Sequence, residues 1–150
     1  MNRSKSVTLY NVLFPIWMIL LFPQMWLIVL PGNFLIDSLV LLASMAFLKM
    51  SEKKLFYKKH IFAVFSFGIL SDIAGSALLF LLCFVLELGH MGDELYLTLP
   101  AILLSAAMIF VLNYYITFKK VDRKTRLTLS IIFSVVTAPY TFLIPTSWLY

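Results

Sequence analysis

The chain has 150 residues, 62% of them hydrophobic and only 13% charged, far from the soluble proportions of about 45–50% apolar and ~25% charged. A single cysteine, Cys83, excludes an intrachain disulfide, a CxxC redox pair and a thiolate metal cage. The net charge of +5 would suggest nucleic acid in a soluble protein, but here the loops account for it and no nucleic-acid partner is implied.

In chain order, Arg3 and Lys5 precede a hydrophobic run with no small-x-small cleavage site after it. The run is expected to be a retained span over residues 8–30, kinked where Pro15 and Pro23 remove backbone donors. Residues 23–31 either continue that span or form a re-entrant segment packed on the bundle. Pro31-Gly32-Asn33 predicts a turn, with Asn33 capping a second span over 33–50. Asp37 then falls one turn inside a helix N-terminus, where the dipole favours a carboxylate.

The stretch Ile61 to Leu86 is almost uniformly apolar and, at about 1.5 Å per residue, long enough for a hydrocarbon core of roughly 30 Å. It is the third span, 61–86, and it carries Asp72 near its middle. The fourth span covers 95–118, with Pro100 tolerated in its first turn. The fifth covers 127–149 and is interrupted by Pro139 and Pro145. The expected fold is therefore an all-α integral membrane protein, one polytopic domain over 1–150 built as a five-transmembrane-helix bundle with proline-kinked first and last spans.

Charge sets the threading. Of the twelve Lys and Arg, two precede the first span, five fall between Lys49 and Lys59, and five between Lys119 and Arg126. The opposite side carries Glu87, Asp93 and Glu94. The positive-inside rule then predicts a cytoplasmic N-terminus, a C-terminus outside and a multi-pass protein of the cell (plasma) membrane of bacterial type. Tyr57, Tyr114 and Tyr115 near the inner boundary, with Trp26, Tyr96 and Trp148 near the outer one, are placed as interfacial anchors.

An acid at mid-membrane is costly, at least ~2.5 kcal/mol on insertion scales, so Asp72 must face protein or trapped water. Counted from Ile61 it lies about 16 Å deep, and Thr137 on the last span lies ~15 Å deep. Ser130, Ser134, Thr137 and Thr141 recur at helical spacing on one face. Ser105 reaches a similar level on the fourth span. The expected polar pocket is Asp72, Ser105, Ser134, Thr137 and Thr141, with Asp37 and Asn113 as secondary members. Pro139 cannot donate to the carbonyl of Val135, which offers Asp72 an acceptor.

Gly68, Ser71, Gly75 and Ser76 give the same helix a small-residue face suited to close helix packing. Two functions fit. The first is a non-enzymatic partner or assembly subunit binding another membrane protein or a second copy within the lipid bilayer. The second is a small oligomeric transporter or transporter subunit using the Asp72 pocket for a proton, a cation or a small substrate. No HExxH, phosphate-binding glycine loop or GxSxG elbow is present, so no enzyme activity, metal or cofactor is expected. His90 with Asp93 and Glu94 lacks a second histidine for a metal site.

Overall fold

The computed structural model describes residues 23–82 and 95–143, and the regular elements among them are all helical. Helix α1 runs Pro23–Phe47, α2 Lys53–Phe80, α3 Leu95–Leu112 and α4 Arg123–Val136. A wide turn, Asn113–Thr117, prolongs α3, and a short 3-10 turn, Tyr140–Leu143, follows α4. Three stretches are long and apolar enough to cross a membrane: Trp26–Phe47, Lys53–Phe80 and Tyr96–Thr117. The expected first span up to residue 22, the acidic connection at 87–94 and the last span beyond residue 143 lie outside the described residues.

The expected turn at Pro31-Gly32-Asn33 is absent. Pro31 sits inside the continuous helix Pro23–Phe47, so residues 23–31 open α1 and Asn33 caps nothing. Proline removes one helical hydrogen bond, but a full break between hydrocarbon-embedded residues would orphan several backbone groups with no water to receive them. Keeping the helix is the smaller loss. Among the described residues nothing lies within 4 Å of the site of a side chain on Gly32.

Five residues join α1 to the antiparallel α2. At the end of α1 the amide of Met50 donates to the carbonyl of Met45 at 3.1 Å and that of Lys49 to Ala46 at 3.2 Å, the paired bonds of a Schellman cap. Glycine normally occupies the left-handed position of that cap. Here Lys49 holds it, at φ 51°, against a cost of about 1–2 kcal/mol for a residue with a Cβ.

At the far end of α3 the amide of Phe118 reaches back to the carbonyl of Asn113 at 2.9 Å, one residue beyond the α pattern, which widens the turn. Asp122 then caps α4 by accepting from the amide of Thr125 at 2.9 Å. Helix α4 has 14 residues, too few to cross a bilayer alone, and stops before Pro139. The carbonyl that Pro139 leaves unclaimed, that of Val135, accepts from the phenol of Tyr140.

Two apolar clusters hold the bundle. One, toward the basic loops, joins Leu41 and Met45 of α1 to Val64, Ile109, Phe118, Leu129 and Phe133. The other packs Leu79 on Leu97, Ala101, Ile102, Ala138 and Phe142. Outward faces are equally apolar: Leu27 is 80% exposed, Phe62 70% and Leu103 65%. Such a surface suits lipid, and it leaves polar groups as the informative part of the interior.

Candidate functional site

Three helices bring polar groups to one level. Asp37, from the middle of α1, is only 5% exposed, and its Oδ2 rests 3.4 Å from where Gly68 would carry a Cβ. Asp72 lies on the same face of α2 one turn farther on, about 6 Å along the axis. From α3, the buried Ser105 hydroxyl donates to Asp72 Oδ1 at 3.2 Å. The two acids thus approach the same stretch of α2, Asp37 over Gly68 and Asp72 one turn beyond it.

No described residue donates a hydrogen bond to Asp37, and the Lys and Arg of these helices are confined to the basic end. Two carboxylates therefore lie in the interior with no cationic side chain beside them among the described residues. Asp37 lies ten residues, ~15 Å, from the end of α1 at Phe47, which is half the length a helix needs to cross a hydrocarbon core of roughly 30 Å.

The site depends on close helix approach. A Cβ on Gly75 would lie 3.0 Å from the carbonyl oxygen of Ala101, 3.1 Å from the Phe142 ring and 3.3 Å from Ser105 Cβ. Glycine is what lets α3 come near enough for Ser105 to reach Asp72. Ser71 and Ser76, both buried, donate to the carbonyls of Phe67 and Asp72 one turn back, at 2.7 and 2.8 Å. Their hydroxyls are satisfied within α2, and on the small-residue face Gly68 meets α1 while Gly75 meets α3.

Other expected members sit elsewhere. The Thr137 hydroxyl donates to Phe133 of its own helix at 2.8 Å, Ser134 is half-buried on α4, and the side chain of Thr141 lies outside the described residues. The expected bond from Asp72 to the carbonyl of Val135 is absent among the described residues, and the phenol of Tyr140 donates to that carbonyl instead. Asn113 is buried toward the basic end, donating to the Ile109 carbonyl at 2.9 Å. Its Oδ1, with Thr117 Oγ1 and Ser130 Oγ, is buried without a partner among the described residues, which marks the wide turn as a place for ordered water.

Asp37 is the residue whose position the sequence concealed. The apparent turn at Pro31 put it beside a helix N-terminus, whereas the unbroken α1 carries it to the core. Counting back from the basic loop rather than forward from Pro31 would have set it ten residues, ~15 Å, from that end of α1. Two aromatics placed as interfacial anchors also have inward partners. Tyr57 shares a 2.9 Å hydrogen bond with Ser38, and Tyr114 lies under Arg126, whose guanidinium carbon is 4.2 Å from the ring centre and whose Nη2 donates to the phenol at 3.1 Å. Among the described residues no group of three or more His, Cys, Asp or Glu could hold a metal ion. No family model matches the sequence, and neither the curated proteins nor the solved structures give a match.

Proposed function

We propose that the chain is a small multi-pass membrane protein that binds a proton or a small cation between Asp37 and Asp72, as a transporter or a transporter subunit. The observation that carries this reading is the second acid. Among the described residues no cationic side chain stands beside these two carboxylates, so at hydrocarbon depth their charge has to be met by protons or by a bound cation. Ser105 supplies a neutral hydroxyl that either donates to a carboxylate or turns its lone pairs toward a bound ion.

The alternative, a partner or assembly subunit, drew on the small-residue face of α2. Within the chain, Gly68 on that face meets Asp37 of α1 and Gly75 meets α3, which favours the ion-site reading. The reading is non-enzymatic, since binding and release at two acids need no group transfer.

We propose five spans, with the N-terminus in the cytoplasm, the C-terminus outside and the protein in a plasma membrane. Support comes from the meeting of the loops after α1 and α3 around one cleft, which sets their lysines and arginines on one side. The test is flux. Full-length protein in liposomes, with a pH-sensitive dye or a sodium or potassium indicator trapped inside, should pass one of these ions down its gradient. Asp37→Asn and Asp72→Asn should each abolish that flux while the protein still inserts. Leakage identical to that of empty liposomes for all three ions would refute the proposal.

A further inference from the structure

Where the two basic loops meet, an open cleft of ≈ 580 Å³ lies between the end of α1, the start of α2 and the start of α4. Lys49, Lys59 and Lys120 line it, and none of the three is in an ion pair with a described residue. Of the two acids lining it, Asp122 is engaged on the Thr125 amide at 2.9 Å. Glu52 stands at the N-cap of α2 without capping it, so the first amides of a 28-residue helix lack a side-chain acceptor.

His60 forms part of the same lining and is only 5% exposed. Its Nδ1 lies 2.8 Å from the Phe56 carbonyl, and since a carbonyl only accepts, Nδ1 carries the hydrogen. Nε2 is left without a partner among the described residues, in a ring that shares the cleft lining with Lys49, Lys59 and Lys120. The ring is held in place by Phe56 at 4.1 Å and Phe118 at 5.5 Å between centroids.

We infer that this cleft binds a phosphate group bearing a hydroxyl, either the phosphomonoester headgroup of a lipid or free phosphate. Three ammonium groups meet the phosphate oxygens, while Nε2 of His60 accepts from the P–OH. Lys49, in the left-handed position of the α1 cap, also lines the cleft. The site is separate from the Asp37–Asp72 pair and does not depend on it.

The experiment is calorimetric titration of the full chain in detergent with dihexanoyl phosphatidic acid, inorganic phosphate and, as control, dihexanoyl phosphatidylcholine. Phosphatidic acid or inorganic phosphate should bind at least tenfold more tightly than the choline lipid. Lys59→Gln and Lys120→Gln should each weaken binding about fivefold, the equivalent of roughly one cation near a phosphate. Lys49→Gly should weaken it similarly while melting at or above the wild-type temperature, so that its loss of binding is not a loss of folding. Competition by inorganic phosphate at matching concentration assigns a soluble ligand, and failure to compete assigns a lipid headgroup. Unchanged affinity in the Lys59→Gln and Lys120→Gln variants, or equal binding of the choline lipid, overturns the inference.

Discussion

The carboxylate of Asp37 packs directly over Gly68 of the neighbouring helix, with Oδ2 3.4 Å from the position of an added Cβ. That distance is ordinary contact, so Gly68→Ala should be tolerated. Gly68→Leu should push the carboxylate away from Asp72. The expected outcome is a folded protein with ion flux in liposomes reduced at least tenfold, whereas wild-type flux in the leucine variant would show that the placement of Asp37 over Gly68 is immaterial.

Gly75 has less room. Its missing Cβ would meet the backbone oxygen of Ala101 at 3.0 Å, and backbone cannot swing aside as a side chain can. Gly75→Ala should therefore separate α2 from α3 and destabilise the bundle by about 1–3 kcal/mol. Unfolding in mixed micelles with increasing SDS measures the change, and a variant as stable as wild type would contradict the close packing described.

Tyr140 takes over the acceptor that Pro139 vacates on Val135. Removing the phenol in Tyr140→Phe should cost about 1 kcal/mol, the net worth of an ordinary hydrogen bond. The same unfolding assay applies, and backbone exchange at the end of α4 should quicken with it.

Asp122 gives a dependence on pH with a definite sign. Its carboxyl lies below its ordinary value, first because of the Thr125 backbone amide and then because of the Thr125 side chain. A group with a lowered folded pKa contributes stability that is fully present above the ordinary carboxylate range and is lost as pH falls through the lowered folded value. Amide exchange at Thr125, corrected for its intrinsic rate, should rise on acidification in the wild type. In Asp122→Ala it should be fast throughout and independent of that titration.

Much of the architecture was legible because hydropathy and charge act over whole segments. A 26-residue apolar run at Ile61–Leu86 announces a membrane helix whatever its neighbours do, and lysines confined to alternate loops bring those loops together. Ser105 met Asp72 as depth counting from the two ends predicts. What failed was local. Pro31-Gly32-Asn33 has the composition of a turn in water, but in an apolar setting the cost of orphaned backbone outweighs the preference of three residues, and α1 continues through them. Asp37 was misplaced with that turn. Thr137 shares a depth with Asp72 but not a contact, because depth fixes only one coordinate and the bend before Pro139 turns its hydroxyl back onto Phe133.

The central claim is that Asp37 and Asp72 form one site, and a double-mutant cycle tests it most directly. Unfolding free energies of wild type, Asp37→Asn, Asp72→Asn and the double variant are measured in the same micelles at neutral pH. Asparagine preserves shape and hydrogen bonding while removing the charge and the exchangeable proton of the acid. Two acids holding a common proton or cation predict a coupling energy of about 0.5–3 kcal/mol, the range for residues in one network. Single-variant effects that add without remainder would mean that the two carboxylates are independent.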